Sequence, residues 1–239
     1  MGVKARAIPD RVLRWDGCVN VRDLGGLPLA DGGETAYRVV VRSDSIRKLT
    51  DAGWRALATY GVRTAVDLRS HGEVALDPPG DVPIEIVHFP VHGDAVPAVH
   101  DWATMQAAYE GFLGAFGPQF AGAVTTIARS DAPVVVHCHG GRDRTGLTSA
   151  LILRLAGVAL GAIAEEHALS DVYLEPWWQA WYDEAPDEPE RERRVRVTQM
   201  PAGAMADVLA DVNPREYLLA GGADEAALDR LVARLRGEA

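Results

Sequence analysis

Cysteine is scarce: Cys18 and Cys138 are the two in 239 residues. So few exclude a disulfide scaffold, and a reactive thiol at either position calls for a reducing compartment. Positive charge is also short. The 24 Lys and Arg stand against 34 Asp and Glu, a formal net charge of -10. Such a surface disfavours nucleic acid and gives phosphorylated partners no long-range attraction. No apolar run reaches the roughly 20 residues of a membrane span, so no stable membrane insertion is expected. Residues 1–10 carry charges but no apolar stretch of the kind a secretory leader needs. The cytoplasm is therefore the expected compartment. Internal repeats and low-complexity tracts are missing too. Of the histidines, His88, His92, His100, His137 and His139 draw attention, yet no spacing resembles paired CxxC or HExxH. No metal and no other cofactor is expected.

What is present suits a globular chain. Hydrophobic residues make up 48%, enough for a substantial core, and one domain over 1–239 is the expectation. Short runs rich in Val and Ile at 37–41, 62–68, 84–91 and 133–137 read as strands, with helical segments between several of them. That alternation predicts an α/β fold with a mostly parallel central sheet flanked by helices. Thr50 caps a predicted helix ending near Tyr60, with Leu49 and Trp54 as its hydrophobic staple and Gly61 as its stop. Over 102–116, Trp102, Met105, Tyr109, Phe112, Leu113 and Phe116 share one stripe. Core packing is the favoured reading, and a helical lid over 95–130 is the alternative. Further helices are expected at 119–129, 145–156, 160–171, 200–219 and 224–236. The charged stretch 183–196, with Pro186 and Pro189, reads as an exposed linker. Arg22 and Asp23 read as a structural ion pair, and Cys18 as a buried small residue.

One stretch carries chemistry: His137-Cys138-His139-Gly140-Gly141-Arg142-Asp143-Arg144-Thr145-Gly146. It sits between the strand at 133–137 and the helix that follows. Five residues separate Cys138 from Arg144. Backbone N–H groups of a tight loop opening a helix point inward, and with the helix dipole they form an anion site. Gly140 and Gly141 permit the tight or positive-φ backbone this needs. The same amides favour a thiolate at the base of the cup. Arg144 can take two phosphoryl oxygens side by side. Thr145 can place its hydroxyl near the sulfur or the first helical N–H groups. The implied reaction is attack of Cys138 on phosphorus, followed by hydrolysis of the cysteinyl-phosphate.

Other roles stay open on residues alone. Asp143 is the nearest proton donor, or else a structural partner for an Arg. Arg142 is a second cation at the rim, or a surface Arg. His139 lines the pocket or faces solvent, and His137 orients the loop. A phosphate-binding module without turnover, an arsenate reductase and a sulfurtransferase are the competing readings. A missing resolving cysteine weighs against arsenate reduction.

The loop resembles the signature of the protein tyrosine phosphatase superfamily, and Gly141-Arg142-Asp143-Arg144-Thr145-Gly146 is similar to its bacterial tyrosine/serine phosphatase branch. Asn20-Val21-Arg22-Asp23-Leu24-Gly25-Gly26, Arg42-Ser43-Asp44 with Leu49-Thr50, Val66-Asp67-Leu68-Arg69-Ser70 with Glu73, and Asp171-Val172-Tyr173-Leu174 follow that branch in order. The resemblance implies a tyrosine-phosphatase-like fold. Its expected substrate is a phosphorylated protein or a phosphoinositide, and its product is phosphate. Arg142 stands where the branch usually has Lys, a residue associated there with broadened activity. Asp67 is implied as an auxiliary acid or loop organiser. Asp94 and Asp101 are minor rivals to Asp143 as the acid.

Overall fold

The computed structural model describes residues 11–92, 104–199, 201 and 203–238. Asp94, His100, Asp101 and Trp102 lie outside the described residues. Five strands form one mixed sheet: β1 (Arg22–Asp23), β2 (Val40–Ser43), β3 (Thr64–Asp67), β4 (Glu85–His88) and β5 (Val134–His137). Their order is β1-β2-β5-β3-β4. β1 pairs antiparallel to β2, and every other pair is parallel. The uninterrupted Val134-Val135-Val136 run is explained by this position, because a central parallel strand is covered on both faces. All three valines are fully buried. The loop bearing Cys138 leaves the carboxyl end of this middle strand, where open α/β sheets bind ligands.

Helices pack on both sides. α1 (Asp51–Tyr60) starts at Thr50, whose hydroxyl accepts from the Gly53 N–H, and stops at Gly61 with φ 97°. α2 (His71–Leu76) opens with a reciprocal cap between Ser70 and Glu73. α3 (Met105–Ala115) and α4 (Gly117–Arg129) bury Met105, Tyr109, Phe112, Phe120 and Ile127 in the main core. The described members of the aromatic stripe, Met105, Tyr109, Phe112, Leu113 and Phe116, are thus core. α5 (Asp143–Ala156) follows the loop and ends at Gly157 with φ 95°.

The chain departs from expectation after α5. α6 (Leu160–Asp183) does not stop near 171 but runs for 24 residues through Pro176. The 183–196 stretch is not a linker: most of it forms α7 (Glu188–Thr198). Its proline falls in the first turn, where a missing N–H costs nothing. Asp187 caps the Glu190 N–H at 2.9 Å. Glu190 then pairs with Arg193 at 2.7 Å and Arg194 at 2.9 Å. Arg194 also donates to the Trp181 carbonyl at 2.5 Å, tying α7 to α6. The helix expected over 200–219 is two, α8 (Ala204–Leu209) and α9 (Pro214–Ala220). Asn213 caps α9 just ahead of Pro214, which cannot continue a preceding helix. α10 (Glu225–Leu235) buries Leu228, Leu231 and Leu235, close to the expected face. Among the described residues no helix is long and apolar enough to cross a membrane.

Candidate active site

The loop from His139 to Gly141 is held from outside. Its three successive carbonyls each accept a hydrogen bond from another element. The Ser45 N–H donates to His139 O at 3.0 Å. Asn20 Nδ2 donates to Gly140 O at 3.0 Å. Arg42 Nη2 donates to Gly141 O at 2.6 Å. With the carbonyls turned out, the loop N–H groups face the cup. Gly141 has φ 70°, and a Cβ there would lie 2.3 Å from the Ser43 carbonyl oxygen. No side chain fits such a position. Gly141→Ala is expected to lower unfolding stability by roughly 2–4 kcal/mol. Denaturant unfolding together with phosphate titration checks this, since the variant should also lose anion binding.

Arg42 is itself anchored in a buried charge cluster. Glu166 receives Arg22 at 3.0 Å, Arg42 at 3.3 Å, and Arg11. Ser170 Oγ accepts from both Arg22 and Arg42. Arg22 therefore pairs with Glu166 and not with its neighbour Asp23. Asp23 instead accepts from the Gly25 and Arg38 N–H groups and from the Tyr60 hydroxyl. Burial draws the Arg42 guanidinium down to about 10, helped by the Arg22 charge and opposed by Glu166.

Cys138 sits at the base of a cavity of about 630 Å³ and is 2% exposed. His139, Gly140, Arg142, Asp143 and Arg144 line the cavity with it. Arg144 donates from Nη1 and Nη2 to the two oxygens of Glu73, at 2.5 and 2.9 Å. That end-on clamp leaves the side-on edge, Nε with Nη2, for a phosphoryl group. Burial opposes charge on Glu73, but the bonds and charge of Arg144 and the Ser70 cap outweigh it and hold the carboxyl at about 2. In the structure Arg69 takes Asp67 at 2.8 Å and Asp77 at 3.2 Å, leaving Glu73 to Arg144.

The remaining expected site residues fall into two groups. Asp143 lines the cavity and accepts from the buried Tyr109 hydroxyl at 2.6 Å. Arg142 lines it too, but is buried and is not a rim cation. Its Nε meets Asp171 at 2.6 Å and its Nη2 donates to the Thr198 carbonyl at 2.7 Å. His139 is exposed at the mouth. Thr145 is buried in the first turn of α5, and its hydroxyl has no partner among the described residues. Asp67 and His137 stand behind the loop. Asp67 is tied to Arg69, and His137 Nδ1 lies 3.9 Å from Asp67 and 3.3 Å from the Cys138 carbonyl. Burial lowers the His137 pKa, which keeps the ring neutral. Among the described residues no group of three or more His, Cys, Asp and Glu can hold a metal ion.

Three lining residues escaped the sequence reading altogether. Trp177, Trp178 and Trp181, on the second half of α6, wall the cavity opposite the loop. Lys48 Nζ stands 3.2 Å from the Trp177 ring centroid, and Arg194 stands 4.9 Å from that of Trp181. Their i, i+1, i+4 spacing was the available signal, but it lay beyond the point where the helix was expected to end.

Residues 13–237 match the model of the tyrosine phosphatase family. The chain belongs to that family. A tyrosine-protein phosphatase of Nostoc commune is 35% identical over 144 residues, 56% of this chain and 49% of the relative. The triple specificity protein phosphatase PtpB of Mycobacterium tuberculosis is 29% identical over 191 residues, 63% of this chain and 69% of the relative. The chain thus spans about half the length of the Nostoc phosphatase. Among solved structures, the Siw14 catalytic core is 12% identical with a TM-score of 0.41, covering 86% of this chain and 97% of that one. TpbA of P. aeruginosa is 20% identical with a TM-score of 0.33, covering 72% and 87%. For this tyrosine phosphatase family member, the matched span takes in both the Cys138 loop and the elements that hold its carbonyls.

Proposed function

We propose that the chain hydrolyses phosphate monoesters, with protein phosphotyrosine as its substrate, through a cysteinyl-phosphate on Cys138. The observation that carries this reading is the cup itself: a cysteine beneath inward amides, beside an Arg whose side-on edge is left for the phosphoryl group. In the first step the Cys138 sulfur forms a bond to phosphorus as the ester P–O bond breaks. Asp143 gives its proton to the departing oxygen. In the second, water attacks the phosphorus, Asp143 takes a proton from it, and Cys138 leaves as thiolate. Arg144 and the loop amides bear the charge on the equatorial oxygens throughout.

Two features favour an aryl ester. The tryptophan wall offers flat apolar surface to a tyrosine ring. Arg142 is fastened to Asp171 and Thr198, so it is not a free cation for a lipid headgroup. The test is phosphate release from matched phosphotyrosine, phosphoserine and phosphothreonine peptides and from phosphoinositide vesicles. Release from the phosphotyrosine peptide at a kcat/KM at least about tenfold above the rest, a gap of 1.4 kcal/mol, is the expected result. No release from any substrate overturns the reading, and a preference for phosphoinositide moves the substrate class.

A further inference from the structure

Asp143 is held by a buried relay that begins far from the loop in sequence. Tyr109, on α3, is fully buried, and its hydroxyl lies 2.6 Å from Asp143 Oδ1 and 3.2 Å from His167 Nε2. A phenol has one proton to give. The shorter contact is to the carboxyl, so Tyr109 donates to Asp143 and accepts from His167 Nε2–H. The two rings meet edge-on, 5.6 Å apart at 88°. His167 Nδ1 is buried without a hydrogen-bond partner among the described residues, against Gly146, where an added Cβ would lie 2.6 Å from it. That is the bare nitrogen expected of a ring whose proton is on Nε2. Burial, reinforced by Arg42, Arg142 and Arg22, keeps this ring uncharged. Burial and the neighbouring Asp143 likewise keep the Tyr109 phenol protonated.

We infer that Tyr109, itself oriented by His167, is the positioning residue of the acid step: it occupies Oδ1 of Asp143, so that Oδ2 carries and delivers the proton. The inference rests on the reading that Asp143 is the general acid. As the Oδ2–H bond breaks and the leaving oxygen takes the proton, negative charge develops on the carboxyl. The Tyr109 hydroxyl keeps its own proton and its bond to Oδ1 strengthens, a contribution greater in the transition state than before it. Arg142 Nη1, 3.5 Å from the same oxygen, addresses Oδ1 as well. Both partners thus leave Oδ2 as the reacting atom.

The test compares native protein with Tyr109→Phe on 4-nitrophenyl phosphate, whose leaving group needs little protonation, and on phenyl phosphate, whose leaving group needs more. Losing one bond to a developing charge should lower kcat/KM, which reports the step in which the leaving group departs, about tenfold on phenyl phosphate and no more than about twofold on 4-nitrophenyl phosphate. In an Asp143→Asn background the same substitution should change neither rate, because no proton is left to deliver. Equal losses on both substrates, no loss on phenyl phosphate, or a loss that persists in the Asn background overturns the inference. If circular dichroism finds Tyr109→Phe unfolded, His167→Leu carries the test, since it releases the phenol without touching Asp143, and the same selective loss is expected. Absence of turnover by the native protein overturns this inference and the proposed function together. Native turnover with a non-selective loss overturns this inference alone.

Discussion

Cys138→Ser is expected to lower kcat on 4-nitrophenyl phosphate by about ten-thousandfold or more while the affinity for inorganic phosphate stays within a few-fold. The cup is made of backbone and of Arg144, and neither depends on the sulfur. Its carbonyls are fixed by Ser45, Asn20 and Arg42, which a serine leaves in place. What is lost is the nucleophile. A serine hydroxyl must be deprotonated to attack, and in this step of the proposed mechanism Asp143 is protonated as the acid and so does not serve as that base. His137, the adjacent residue, points its Nδ1 at the Cys138 carbonyl and Asp67, behind the loop. Phosphate affinity by calorimetry and turnover by colorimetric assay separate the two effects. A serine variant within tenfold of the native rate would mean that Cys138 is not the nucleophile.

Arg144→Lys is expected to lower kcat/KM about a thousandfold, with the fold intact by circular dichroism. The guanidinium has two jobs at once in the proposed mechanism: its end is clamped by Glu73, and its side-on edge is left for the phosphoryl oxygens. An ammonium is a single point charge and cannot keep both. If it follows Glu73 it leaves the phosphate, and if it follows the phosphate it leaves a partly buried carboxylate unpaired. The clamp should also persist in acid. Glu73 is held at about 2, below the ordinary 4.5. A depressed carboxyl gives its full stabilisation above the unfolded value and loses it only as pH falls through the folded one. Any decline in turnover above about pH 4 therefore belongs to another group. A Lys variant that keeps a tenth of the native kcat/KM would remove Arg144 from the transition state.

The cup was legible because its determinants are local. A strand, a Gly-rich turn, a cysteine and an Arg at fixed spacing form a contiguous pattern, and Gly141 takes the positive φ the pattern needs. Its surroundings were legible only in part. Ser70 and Glu73 follow the family pattern in the sequence, but that they cap a helix, and that Glu73 also reaches Arg144 across 71 residues, came only from the structure. Asp23 beside Arg22 looks like an ion pair, yet consecutive strand residues point to opposite faces, so the pair separates. α7 has no apolar stripe to betray it. It is held by Glu190 with Arg193 and Arg194 and by contacts to α6, and such helices look like linkers. Pro176 lies inside α6, where a proline suggests a break, and the tryptophan wall lies just beyond it.

The three outward carbonyls tie anion binding to assembly of the whole chain. Gly140 is held by a residue 120 positions away and Gly141 by one 99 positions away. The loop sequence by itself therefore encodes no phosphate site: a peptide of strand, loop and helix has nothing to turn its carbonyls outward. Closing contacts of such length is entropically unfavourable until the sheet is in place, so the site is expected to form late. On the proposed function, phosphate binds the folded state alone and then acts as a ligand for native topology. At a hundred times its dissociation constant it adds about 2.7 kcal/mol to the stability of the whole molecule, including helices that never touch it.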